Sequence, residues 1–349
     1  MKNDYITNSS ISTFKACRQK YYFAYEMGWR PDKEKSVLRI GSMVHEGLDQ
    51  LAKGADLLDV LDNLTAEYAT ANDDYETLAF ESVTVQELVR GYAMAWSESQ
   101  IRIIESEKEF CLPIINENGN PMTAFKQAGK RDRLCELPDG RIALMETKTV
   151  SEDYSAQSDA RKITAINHQI SMYIAAAKAE GIDVQTTIYD TLRKPTIKPC
   201  PVPLTDNDGL KVVLDADGCR VMNGNGKPRQ TADTAMGYVL QTRPMTPEEW
   251  RQKLASDILE RPEYYYQRFE VPRLDCDLER FNIELSMVAK DILECRRRKH
   301  WYRNTNNCRM YSSICPYYPL CSGEVDAEHG CPQGFRQSET FHEELATIA

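Results

Sequence analysis

Hydrophobic and polar positions change period several times along this chain, and the most informative change lies between residues 129 and 150. There GKRDRLCELPDGRIALMETKTV forms two short, partly alternating runs on either side of Pro138-Asp139-Gly140, a strong turn signal, which predicts a β-hairpin. Side chains alternate faces along a strand, so Ile142, Leu144, Glu146 and Lys148 share one face: two apolar residues, then a carboxylate and an ammonium. Upstream, residues 103–112 and 123–128 read as strands separated by a turn at 116–120, with Glu107 close enough in the pattern to reach the site but read first as a surface strand acid. Downstream, a helix over about 160–180 carries Gln169 and Tyr173 on one face and leads to a strand at 184–192. Strands followed by a helix and another strand give an α/β arrangement centred on the hairpin.

Helical periods flank this core. Ser10 or Ser12 can cap a helix with Phe14, Cys17 or Arg18, Tyr21 and Tyr25 at helical spacing, and a second helix follows Gly41-Ser42 with His45 between Val44 and Leu48. Residues 57–106 are helical in pattern. Pro195, Pro199, Pro201 and Pro203, followed by two turn clusters, predict an excursion of one or two hairpins outside the core over 194–243. Thr246-Pro247-Glu248-Glu249 is a capping box that starts a helix. That helix runs toward Tyr264-Tyr265-Tyr266-Gln267-Arg268-Phe269, where packing competes with a single-strand platform as the explanation. A last helix, with Phe281, Leu285, Val288 and Ile292 in phase, ends in the basic run Arg296-Arg297-Arg298-Lys299-His300. The chain divides accordingly into an N-terminal helical region (1–100), a core (101–195), the excursion (196–245) and C-terminal helices with a cysteine-rich segment (246–349).

At 349 residues and net charge -10, the chain can bury a large core and has no global basic field, so any nucleic-acid contact must be local, at Lys126 with Lys130-Arg131 or at the 296–300 run. No apolar run approaches membrane-spanning length, which sets the expectation of a cytoplasmic protein with no membrane contact. Eleven cysteines in such a compartment indicate packing or metal ligation rather than disulfides. Cys111, Cys135, Cys200, Cys219, Cys276 and Cys295 are scattered and read as inert.

Two constellations carry chemistry. Asp132, Glu146 and Lys148 are either an ion pair at a sheet end or a site in which two carboxylates from neighbouring strands offer hard oxygens to Mg²⁺ or Mn²⁺. Cys308, Cys315 and Cys321, with six and five residues between them, fit zinc or an iron–sulfur cluster, and a cubane requires a fourth thiolate from Cys331 or from distant Cys17. His45 alone reads as a structural histidine.

Taken together, FKACRQKYYFAY, GSMVHEGL, GKRD, METK, the Gln169–Tyr173 helix and the C-terminal cysteines resemble, in order and over nearly the whole chain, the RecB-type branch of the PD-(D/E)xK nucleases. The similarity is to its iron–sulfur members, such as the AddB nuclease domain and the CRISPR-associated and phage exonucleases. The resemblance implies a restriction-endonuclease-like core sheet flanked by helices, its N- and C-terminal segments joined by a [4Fe-4S] cluster on Cys17, Cys308, Cys315 and Cys321. It also implies Mg²⁺ or Mn²⁺ on Asp132, Glu146, His45 and the Thr147 carbonyl, Lys148 as the group that positions water or steadies charge, and Gln169 and Tyr173 as substrate-holding or bracing groups. The implied activity is exonucleolytic hydrolysis of single-stranded DNA or DNA ends in recombination, repair or phage DNA processing. A helicase or recombination partner would supply direction, since the chain has no P-loop. The wide spacing of Cys308 and Cys315 departs from the family's common two-residue gap and keeps Cys331 in play. The rival is a non-catalytic, zinc-held DNA- or protein-binding module, distinguished by a colourless protein that contains zinc and leaves DNA intact.

Overall fold

Turn-forming Pro138, Asp139 and Gly140 bring two strands together at the centre of a six-stranded mixed sheet. The computed structural model describes residues 4–32, 35–71, 73–310, 313–326 and 330–345. Its main sheet comprises β1 (Tyr5–Ile6), β2 (Arg102–Ile115), β3 (Pro121–Glu136), β4 (Ile142–Val150), β5 (Thr186–Arg193) and β6 (Tyr266–Val271). Hydrogen bonding runs β1-β3-β4-β5-β6, and β2 lines the other edge of β3. β4 and β5 are parallel, β1 runs parallel to β3, and the remaining pairs are antiparallel.

The principal helices are α1 (Asn8–Ala16), α2 (Ser36–Ala52), α3 (Leu57–Thr70), α4 (Tyr75–Ala95), α5 (His168–Ala179), α6 (Pro247–Glu260) and α7 (Asp275–Arg298). Alternation along the strands divides them into two groups. Leu134 and Leu144 join a core with Phe14, Ile170, Tyr173 and Phe281 from α1, α5 and α7. Leu192 and Tyr266 join another with Val44, Leu64, Leu88 and Trp250 from α2, α3, α4 and α6. Each such buried side chain contributes about 2 kcal/mol of transfer free energy, so the sheet is held between two apolar layers. Among the described residues no helix is long and apolar enough to cross a membrane.

Several elements differ from the sequence reading. The helix expected over 160–180 is broken: Asn167 accepts a hydrogen bond from the Gln169 backbone N–H at 2.8 Å and starts α5 afresh at His168. α2 begins at Ser36, with Gly41 inside it. Cys17 is not helical but extended, a break after α1. The excursion, by contrast, carries the expected antiparallel pairing outside the main sheet, Val202–Pro203 with Thr242–Arg243 and Val213–Leu214 with Val239–Leu240, along with tight turns in which the backbone N–H groups of Asp206, Asp215 and Asn223 donate to the carbonyls of Leu210, Cys219 and Lys227. Tyr265, Tyr266 and Phe269 are buried, and the Tyr266 hydroxyl donates to the Leu88 carbonyl, so this segment packs and offers no stacking platform. Nor is the Lys130-Arg131 patch free, because Lys130 pairs with Glu107 and buried Arg131 with Glu180 at 2.8 Å.

Candidate active site

The β3–β4 ladder ends at the pair Arg133 and Met145. Asp132 and Glu146 would be the next cross-strand pair, but the strands part there, and the Thr147 backbone N–H donates instead to Asp132 Oδ2 at 2.9 Å. Beyond this fork β1 takes over the same edge of β3, pairing Ile6 with Gln127. The fork places two carboxylates at a gap in the sheet.

Glu146 is 2 % exposed, and Lys148 Nζ lies 2.6 Å from its Oε1 without the alignment of a hydrogen bond. Among the described residues neither carboxylate oxygen of Glu146 has a hydrogen-bond partner. Burial, and then the charge of Asp132, push the Glu146 carboxyl up to about 8, with Lys148 opposing. For half-buried Lys148 desolvation works downward, but Glu146 and Asp132 outweigh it and hold the ammonium above its ordinary value. His45, on α2, lies in the field of Asp132 and Lys148, and burial pushes its imidazole below the usual histidine value, which keeps it in the neutral form that ligates metals. A buried carboxylate, a second carboxylate and a neutral imidazole are the kinds of ligand that suit Mg²⁺ or Mn²⁺. Among the described residues no three His, Cys, Asp or Glu side chains are gathered closely enough to hold an ion, and the Lys148 ammonium is the cation beside Glu146.

α5 supplies Gln169 and Tyr173, joined by a hydrogen bond from Gln169 Nε2 to the Tyr173 hydroxyl at 3.0 Å. Burial and the nearby Glu146 push the Tyr173 phenol upward, so it remains neutral. Its ring meets Phe110 edge-on at 5.7 Å, and Gly129 lies beneath both. A Cβ at Gly129 would approach the Phe110 ring to 2.8 Å and the Tyr173 ring to 3.2 Å. Gly129→Ala is therefore expected to destabilise the fold by about 1–3 kcal/mol and to displace Tyr173 from the site. Thermal melting checks the first effect, and a crystal structure of the variant checks the second.

The sequence reading missed the groups behind the fork. Fully buried Asp190, paired with Thr147 across β4–β5, accepts hydrogen bonds from the Tyr92 hydroxyl at 2.5 Å and Arg268 Nε at 3.0 Å. Arg133 Nη1 donates to Thr147 Oγ1 at 3.0 Å, so this network fixes the strand from the face opposite Glu146. An aspartate inside a β-branched and aromatic strand, Thr186–Arg193, was the available signal. Glu107 is not the surface acid expected: it lies between the pairs Ser106–Arg133 and Lys108–Arg131, opposite Asp132, with φ +54°. Burial raises its carboxyl despite the ion pair with Lys130.

Cys315 and Cys321 pack, partly buried, against the core that contains Phe14 and Phe281. Between Cys308 and Cys315, Arg309 pairs with Ile314 and Met310 with Ser313 in a small antiparallel pair, and the Cys315 N–H donates to the Cys308 carbonyl at 2.8 Å. The short helix Tyr318–Ser322 then carries Cys321, while Cys17 Sγ accepts from the Asn304 N–H at 3.4 Å. Burial pushes the Cys321 thiol up to about 11, and Cys17, Cys315 and Cys308 each add to the rise. Cys331 is outside this group: it is exposed, beside Asp32, and its thiol donates to the Phe335 carbonyl.

A family model described as the PD-(D/E)XK nuclease superfamily matches residues 5–322, a stretch that ends one residue after Cys321. Among solved structures, similarity is found to a candidate exonuclease from Eubacterium rectale, 11 % identical, covering 79 % of this chain and 87 % of that one at a TM-score of 0.35. A second is SSO0001, 12 % identical, covering 57 % of this chain and 83 % of that one at a TM-score of 0.20. No curated protein matches the chain.

Proposed function

Because this chain belongs to the PD-(D/E)XK nuclease superfamily, we propose that it is a Mg²⁺- or Mn²⁺-dependent deoxyribonuclease of the RecB-type, iron–sulfur branch, acting as an exonuclease on single strands or DNA ends. The observation that carries the reading is the Glu146 carboxylate, buried at the fork beside Asp132 with the Lys148 ammonium against it at 2.6 Å. Asp132, Glu146, His45 and the Thr147 carbonyl would hold the metal. When bound, the ion lowers the pKa of the attacking water and neutralises charge on the leaving oxygen. Lys148 keeps its proton and stands over Glu146, where it orients water and faces the developing phosphate charge. Gln169 and Tyr173 brace the same side of the site. A chain of net charge -10 can still act on DNA, since the metal supplies positive charge where the scissile phosphate sits.

Cys17, Cys308, Cys315 and Cys321 would hold a [4Fe-4S] cluster, and the shared field of their thiols supports that set over one containing Cys331. The role of the cluster is structural, tying the first helical segment to the last. A helicase or recombination protein would supply direction in DNA recombination, repair or phage DNA processing.

The test is digestion of end-labelled single-stranded and duplex DNA with Mg²⁺, with Mn²⁺ and with EDTA. Metal-dependent release of label from the single strand is expected. Intact substrate in every reaction, together with a colourless zinc-containing protein, would overturn the reading in favour of a binding module.

A further inference from the structure

The basic run at the end of α7 is not used by the active site, yet it forms one wall of a groove of about 660 Å³. Gln19, Tyr22, Arg296, Lys299, Tyr302 and Arg303 contribute to its lining. Its acid, Glu26, is neutralised by Arg296, whose Nε and Nη2 both reach the carboxylate at 2.8–3.0 Å. Glu294 lies between Arg297 and Arg298. Residues 296–303 contain five fixed cations, Arg296, Arg297, Arg298, Lys299 and Arg303; subtracting Glu26 and Glu294 leaves a local charge of +3 on a protein whose total is -10.

Among the described residues, Lys299 and Arg303 enter no ion pair, and both are exposed. Lys299 ends α7 in the left-handed region, φ +52°, where glycine is the unstrained choice. A lysine there sacrifices roughly 1 kcal/mol of backbone preference to keep a cation at the groove. The following segment is anchored by buried Trp301, stacked on Tyr21 at 5.6 Å, while Tyr302 is 51 % exposed with the Arg18 guanidinium over its ring at 4.3 Å. Tyr22 faces the same groove. Unpaired cations beside a half-exposed aromatic ring match a nucleic-acid strand, with phosphates on the cations and a base on the part of the ring that Arg18 leaves open.

We infer that this groove is a binding site for single-stranded DNA, distinct from the carboxylate fork, and that it engages the strand which the proposed nuclease degrades. The inference rests on the nuclease reading for its ligand but on this groove alone for its residues.

Anisotropy of a labelled oligothymidylate with the full chain in EDTA tests it without hydrolysis. Lys299→Ala with Arg303→Ala is expected to weaken binding by about tenfold and to flatten the log–log salt dependence by roughly 1.4, two phosphate contacts' worth. Tyr302→Leu is expected to weaken it by about tenfold without changing the salt slope. Lys299→Gly should bind as weakly as Lys299→Ala while melting at least as high as the parent, which separates binding from folding. Arg297→Ala, on a side chain already paired with Glu294, should change little. The inference is overturned if the parent fails to bind, if the double variant keeps the parent's affinity and slope, if Arg297→Ala costs as much as Lys299→Ala, or if duplex DNA competes as well as the single strand. Metal-dependent digestion that persists in any of those cases leaves the nuclease reading standing.

Discussion

Glu146→Gln is expected to melt higher than the parent protein in EDTA and to hydrolyse no DNA. The two effects have one cause. In the unfolded chain this carboxyl titrates near its ordinary value of 4.5, whereas in the fold burial and Asp132 push it up to about 8. Below pH 4.5 it is neutral in both states and carries no penalty. Between those values the unfolded chain releases the proton and the folded protein retains it, so stability falls with rising pH, by at most about 5 kcal/mol across the window from 4.5 to about 8. Glutamine does not titrate, so the gap in melting temperature between variant and parent should widen from pH 5 to pH 8. Mn²⁺ should narrow it, because the ion stabilises only the protein with the carboxylate in place. Lys148→Ala, which removes the cation over the fork, should lower metal-dependent hydrolysis by about a thousand-fold. A variant that digests DNA like the parent, at either position, would sink the assignment. A Glu146→Gln protein that melts lower than the parent at pH 8 would remove the electrostatic argument for the site.

That this penalty sits at Glu146 explains how much was legible in the sequence. An apolar strand face interrupted by a carboxylate and a lysine is a local inconsistency, and such inconsistencies mark function more reliably than regular stretches do. Periodicity also gave the hairpin and the α5–β5 return, because alternation and helical spacing are properties of a single segment. What stayed hidden depends on register between segments. Glu107 looks like any strand acid until β2 is set against β3 and brings it opposite Asp132. Asp190 carries no partner nearby in sequence, since Tyr92 and Arg268 reach it from α4 and β6. The six-residue gap between Cys308 and Cys315 counts against a cluster in sequence, yet a two-stranded fold-back brings the two residues together. The start of α5 was misplaced because the Asn167 cap is a single side-chain hydrogen bond that overrides a continuing apolar pattern.

Cys17→Ala is expected to bleach the brown colour of anaerobically purified protein, and Cys331→Ala to leave it unchanged. Cys17 and Cys308 are far apart in the chain, so a cluster bridging them closes a very long loop, a constraint worth up to about 5 kcal/mol in a chain-entropy account. The full amount should not be lost, because other contacts join the same ends. Asn304 and Asn307 side chains donate to the Ala16 carbonyl, the Tyr317 hydroxyl donates to the Trp29 carbonyl, and Phe335–Gln337 pairs with Trp29–Pro31. The sheet and its carboxylate fork are held by cores that include neither Cys17 nor Cys308 among their buried members. Loss of the cluster should therefore free the 308–321 segment before it melts the domain: limited proteolysis should cut the variant there while the parent resists, and the main thermal transition should move by less than the loop-closure limit. Colour retained by Cys17→Ala and lost by Cys331→Ala would show that the ligands are local to the C-terminal segment, and the cluster would then tie nothing to the first helix.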